Sequence, residues 1–244
     1  MSPKQRREFV YLILAGIFIT NALLAEIIGG KLFQFGPFTM SLGVIAWPIV
    51  FVTSDLVNEY FGKTGVRNLS LFTAGLILYM FVIIYIGMWI PAASFSPVTD
   101  NQFNVVFGQS LWITFGSLVA FLLSQGVDVF IFWVVRDRTG GKMLWLRSTG
   151  STVISQIIDT WIVLGIAFYL PGVLGLAGQG QAISFGQYMQ LSASNYTVKL
   201  ILAIVLTPLI YAGHSLIDKM LGGHESQHLI DQAARDSLRD LPPT

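Results

Sequence analysis

The chain has no cysteine. Disulfides and thiolate metal sites are therefore excluded. Charge is scarce too: Asp, Glu, Lys and Arg make up 11% of 244 residues, against roughly 25% in a soluble domain. The histidines His214, His224 and His228 all come late. None belongs to a paired metalloprotease motif, and their place at or beyond the end of the last apolar run argues against metal binding. There is no glycine-flanked serine elbow and no phosphate-binding loop. The common enzyme classes fall away, and nothing calls for a cofactor or a metal. The net charge of +1 carries no nucleic-acid signal, because the charges are segregated along the chain.

What is present is apolar. Hydrophobic residues make up 54% and the mean hydropathy is +0.68. The apolar runs are long and do not alternate with period two, so the expected class is an all-α integral membrane protein. The first run follows basic residues but has no clean small-residue cleavage site. It is expected to remain as a helix and not to be removed as a signal peptide.

The runs predict six transmembrane helices. Helix 1 covers about Phe9–Ile28 and helix 2 about Met40–Phe61, with a kink at Pro48. Helix 3 covers about Leu69–Ile90, helix 4 about Ser110–Val135 and helix 5 about Ser148–Leu170. Helix 6 covers about Ser194–Ile217, with a second kink at Pro208. The segment from Lys31 to Phe38 reads as a small hairpin or loop. Residues 1–222 form one transmembrane domain, and 223–244 a polar cytoplasmic tail with a loose surface helix. Of the 14 Lys and Arg residues, Lys31 alone falls on the far side and Lys199 lies inside helix 6. That bias puts both termini in the cytoplasm.

Polar residues inside the spans are few and grouped. The stretch from Arg147 to Trp161 is the densest. Read as a helix, Ser151, Ser155 and Asp159 fall on one stripe, and Gln156 shares a face with Asp159. Counted from Ser148, Asp159 lies roughly 16 Å along the helix, near the middle of a hydrocarbon layer about 30 Å thick. An acid at that depth faces a cavity or a partner. Helix 2 carries Asp55, Asn58 and Glu59 on one face, helix 4 carries Gln125 and Asp128, and helix 6 carries Asn195, Tyr196 and Lys199. Ser124-Gln-Gly-Val-Asp128 is echoed as Ser155-Gln-Ile-Ile-Asp159.

Plainer roles stand beside these. Glu26 reads as an interfacial residue, Asp55 as a cap, Glu59 as an i, i+4 partner of Lys63, and Arg147 as a topology charge. Lys199 could serve only to neutralise an acid, and Trp161 only to pack. Taken together, acids, amides and aromatics suit a flat polar heterocycle. A carboxylate accepts two hydrogen bonds from an amidine-like N–H pair, as on a guanine edge, while an aromatic ring stacks on the face. The same acids could carry protons.

Four motifs then occur in order: Asp55-x-x-Asn58-Glu59-x-x-Gly62, Ser124-Gln-x-x-Asp128, Arg147 leading to Ser155-Gln-x-x-Asp159, and Asn195-Tyr196-x-x-Lys199. They resemble the queuosine precursor transporter family, also described as a vitamin-uptake-type transporter family. The resemblance implies import of 7-cyano- or 7-aminomethyl-7-deazaguanine across a bacterial inner membrane. The expected site is a cavity between helices 2, 4, 5 and 6. There, Glu59 or Asp159 reads the guanine edge, Gln125 and Gln156 supply amide contacts, and Asp128 pairs with Lys199 or the ligand amine. Asp55, Asn58, Arg147, Ser151, Trp161, Asn195 and Tyr196 complete the candidate contacts. The expected partners are the deazapurine and the lipid bilayer, with homo-oligomerisation left open. The alternative is a substrate-capture subunit, like those of energy-coupling-factor systems, that needs a partner ATPase module.

Overall fold

The computed structural model describes residues 2–139, 156–176, 182–205 and 207–239. The elements are α1 (Pro3–Ile28), β1 (Leu32–Phe35), β2 (Phe38–Ser41), a 3-10 turn (Leu42–Ile45), α2 (Trp47–Trp89) and α3 (Asp100–Thr139). Then follow α4 (Gln156–Val173), α5 (Phe185–Val205), α6 (Thr207–Leu221) and α7 (Gly223–Arg239).

Three helices begin on the same local device. In Ser2/Gln5, Thr99/Gln102 and Ser184/Gln187 the first residue's backbone N–H donates to the glutamine Oε1, at 2.8, 2.9 and 2.8 Å. The glutamine N–H donates back to the hydroxyl at 3.3 Å in each. These are capping boxes, which satisfy donors that a helix start leaves open. They set the starts of α1, α3 and α5. The last two helices therefore begin at Asp100 and Phe185, well before the expected Ser110 and Ser194.

The segment after α1 is a hairpin. Phe35 pairs with Phe38 across Gly36-Pro37, and Gly36 has φ 57°. A two-residue loop with glycine first suits the twist of antiparallel strands. Because β2 and the 3-10 turn occupy residues 38–45, predicted helix 2 starts at Trp47. Pro48 then sits in the first helical turn, where its missing N–H costs nothing. The expected kink at Pro48 is therefore corrected: α2 breaks instead at Gly62, with φ 70° and ψ 179°. No separate loop divides predicted helices 2 and 3. Pro208 likewise stands in the first turn of α6.

The chain divides into two compact units. The first comprises Met1–Ala25, Gly43–Tyr79 and Lys199–Thr244. Its core forms because Val10, Leu14, Phe18 and Ala22 recur every fourth residue on α1, while Val52, Leu56, Val57 and Tyr60 line one face of α2. Ile217 and Leu221 from α6 and Leu229 from α7 complete it. The stretch expected to be a loose surface helix is thus docked through Leu229, which is 2% exposed.

The second unit comprises Glu26–Leu42 and Met80–Val198. Its core joins Ile113 of α3, Leu164, Ala167 and Phe168 of α4, and Leu191 of α5. Helices α3 and α4 approach closely at Gly116, where an added Cβ would stand 3.0 Å from the Val163 carbonyl oxygen. Backbone cannot step aside as a side-chain tip can. Gly116→Val is expected to cost about 1–3 kcal/mol, read as a lower thermal unfolding temperature in detergent.

Among the described residues, four helical stretches are long and apolar enough to cross a membrane: Pro3–Ile28, Thr64–Trp89, Asp100–Ala120 and Gln156–Val173. Large apolar side chains such as Leu12, Phe72, Tyr79 and Ile83 are exposed along them. Such faces are what lipid requires and water does not. The chain is a multi-pass membrane protein. The segment Trp47–Phe61, cut short at Gly62, does not reach that length, whereas α5 reaches it with 21 residues but is not among the four apolar stretches.

Candidate functional site

In the second unit the polar chemistry gathers around Glu26. Its side chain is 1% exposed. Ser110 Oγ donates to the Ile27 carbonyl at 2.8 Å, tying α3 to the residue beside it. Glu26 hydrogen bonds Ser117 and lies within electrostatic reach of Asp159. Among the described residues, its Oε2 has no hydrogen-bond partner. A buried carboxylate oxygen without a donor is costly, and a second acid nearby adds repulsion. The pair therefore favours a donor-rich or positively charged guest.

Beyond Asp159, α4 widens into a π-helical stretch, Gly165–Tyr169. Single π turns recur at functional sites. Two neighbouring side chains grip this region. Tyr188 OH donates to the Trp161 carbonyl at 2.9 Å, and Gln109 Nε2 donates to the Ala167 carbonyl at 2.7 Å. Trp161 packs edge-on against Tyr188 at 5.7 Å, and Tyr169 stacks on Tyr188 at 5.4 Å. These rings form an aromatic wall along α4, from Trp161, two residues after Asp159, to Tyr169, ten residues after it.

Asn195 holds the hairpin. Its Nδ2 donates to the carbonyls of Leu191 (2.8 Å) and Thr39 (3.5 Å), and its Oδ1 accepts from Ser41 N–H at 3.4 Å. Ser41 Oγ in turn donates to the Gly29 carbonyl at 2.7 Å. The amide expected to touch a ligand is engaged in fixing β2 to α5.

In the first unit the acids of α2 face away from its core. Asp55, Asn58 and Glu59 are exposed, and Asp55 and Glu59 repel each other. Glu59 Oε2 lies 2.9 Å from His214 Nε2. The other imidazole nitrogen, Nδ1, lies 2.9 Å from Tyr60 OH. Tyr60 OH donates to Asp218 Oδ1 at 2.8 Å, and Ser226 Oγ donates to the same oxygen. The network borders a pocket of about 470 Å³ lined by α2, α6 and α7.

The candidate residues thus fall into separate groups. Asp55, Asn58 and Glu59 belong to the first unit, and Gln156, Asp159, Trp161, Asn195 and Tyr196 to the second. Lys199 lies at the start of the first unit's last segment. Gln125 and Asp128 lie on α3, with side chains outside the described residues; Arg147 and Ser151 lie outside them altogether. Two residues were undervalued from sequence. Glu26, read as interfacial, is buried among the helices, and His214, noted only as an unsuitable metal ligand, belongs to the polar network. Only the charge of Glu26 inside an apolar run hinted at the first, and nothing local hinted at the second.

A family model described as "Putative vitamin uptake transporter" matches residues 41–213. A protein named "Probable queuosine precursor transporter" from Bacillus subtilis (strain 168) is 28% identical over 181 residues, 73% of this chain and 73% of its own length. A "Queuosine precursor transporter" from Escherichia coli (strain K12) is 26% identical over 172 residues, 69% of each chain. No solved structure matches the chain.

Proposed function

The chain belongs to the vitamin uptake transporter family, a family of transporters and not of enzymes, and from that premise we propose that it carries queuosine precursors across the bacterial inner membrane. The observation that carries this reading is the family match over residues 41–213, which includes all four polar motifs. The names of both relatives point to the same cargo. The cargo is 7-cyano- or 7-aminomethyl-7-deazaguanine.

Asp159 reads the guanine edge, since Glu59 is held by His214. Its carboxylate accepts the ring N–H and the exocyclic amine together, a pairing that a neutral amide cannot reproduce. Gln156 serves the neighbouring carbonyl, and Trp161 offers a ring face. Glu26, buried beside Asp159, is added to the contacts and suits the aminomethyl ammonium. Gln125, Asp128, Arg147, Ser151, Tyr196 and Lys199 keep the roles that the resemblance implies. Six crossings, with the 223–244 segment and both termini cytoplasmic, accommodate the charge bias. The broken helix before Gly62 and the α5–α6 pair supply the two crossings beyond the four apolar stretches.

Binding to the purified full chain tests the reading. Both deazaguanines are expected to bind at least tenfold more tightly than guanine, a difference of about 1.4 kcal/mol. Equal affinity for guanine overturns the assignment. Uptake into liposomes by the chain alone is expected, and a requirement for an added ATPase module would favour a substrate-capture subunit.

A further inference from the structure

We propose that His214 is a proton-binding site, held as an imidazolium between Glu59 and the Tyr60–Asp218–Ser226 chain, and that its proton is coupled to substrate passage. The hydrogens can be counted. Four contacts no longer than 2.9 Å link the five side chains, and each needs one hydrogen. Tyr60 has one, and it goes to Asp218. Ser226 has one, and it also goes to Asp218. Two contacts remain, one at each imidazole nitrogen, and both face an oxygen whose own hydrogen is absent or committed. A neutral imidazole carries one N–H, so the network is complete only with one further proton. Moving that proton onto Glu59 or Asp218 leaves the count unchanged. The imidazole holds it, because each of its two nitrogens faces an oxygen acceptor.

The surroundings agree in charge. Glu59 and Tyr60 face His214 from α2, and Asp218 stands one turn along α6. From α7 the pocket receives Gly223, Ser226, Gln227 and Ile230, with no charged side chain among the described residues. Two carboxylates therefore bracket one cation. Loss of the proton removes one hydrogen bond and leaves the two acids uncompensated. The site is also accessible: Glu59 is 45% exposed at the pocket, whereas His214 is 19% exposed. A proton entering from water meets Glu59 first and passes to Nε2. Because the network joins α2, α6 and α7, its occupancy controls how firmly these helices are held together. The coupling to transport rests on the function proposed above; the protonation state of His214 does not.

Two measurements decide the proposal. In the first, the full chain in nanodiscs carries 15N-labelled histidine, with His214→Gln used to assign the signal. At pH 7 both ring nitrogens of His214 are expected to read as protonated. In Glu59→Gln, whose amide can donate to Nε2, one nitrogen is expected to read as unprotonated at the same pH. A neutral ring in the parent protein overturns the site. In the second, liposomes take up labelled 7-aminomethyl-7-deazaguanine with and without an imposed pH gradient. With one proton per substrate, a one-unit gradient supports about a tenfold accumulation ratio. His214→Gln is expected to keep substrate exchange and lose this accumulation. Uptake by the parent protein that ignores the gradient overturns the coupling alone. Absence of any precursor uptake removes the coupling together with the transporter reading.

Discussion

Asp159→Ala is expected to reduce precursor uptake at least about 30-fold at unchanged membrane levels. Removing one partner of a buried charged hydrogen-bonded pair costs about 2–5 kcal/mol, and 2 kcal/mol corresponds to roughly that factor. The loss is large because alanine removes the acceptor and leaves the guest's N–H groups without one. Asp159→Asn keeps the shape and turns one acceptor into a donor, so it is expected to recover little. Glu26→Ala is expected to weaken uptake as well. Because Glu26 and Asp159 interact, the double variant should lose less than the two single losses combined. The check is uptake of labelled precursor, with protein levels measured by immunoblot. Near-parental uptake by Asp159→Ala would sink the assignment.

Gly62→Ala is expected to destabilise the first unit by about 1–3 kcal/mol, the cost of a side chain in a backbone region that is almost exclusively glycine's. The cause is torsional and not steric. An added Cβ would meet Ala233 of α7 at 3.6 Å, an ordinary contact. Gly222 supplies the control. Its φ of 88° is also positive, yet nothing stands within 4 Å of a Cβ there, and it follows a helix, where asparagine is tolerated. Gly222→Asn is therefore expected to cost much less. Thermal unfolding of both variants, with hydrogen exchange along α7, separates the two cases. Equal stability of Gly62→Ala and the parent protein would show that α2 does not need its break.

The membrane class and the helical content were legible because they depend on composition and run length. The early starts of α3 and α5 were legible too, in Thr-x-x-Gln and Ser-x-x-Gln, but hydropathy drew attention to the apolar runs alone. A capping box lies in the polar residues just outside such a run. The end of the first helical stretch at Phe61 was legible, but not that the helix resumes straight after Gly62 without a loop, since a glycine before Lys63 looks like any loop glycine. Pro48 misled for the opposite reason: proline disrupts a helix interior but suits a first turn, and the hairpin upstream decides which applies. His214 reaches Glu59 across 155 positions of chain, a juxtaposition that no local pattern encodes. The burial of Glu26 depends on what α3 lays over it, which its own stretch of sequence does not encode.

The π-helical stretch Gly165–Tyr169 changes how α4 must be read. A wide turn holds one surplus residue, so everything after it is rotated by about 100° from where unbroken α-helical counting puts it. The wheel that carries Gln156 and Asp159 does not continue to Tyr169. Faces inferred across the stretch by adding threes and fours are therefore wrong by one position. The same surplus makes this the place in α4 where chain length has slack. Losing one residue here would close the turn to ordinary α geometry. Losing one before Asp159 would swing the acid away from Glu26.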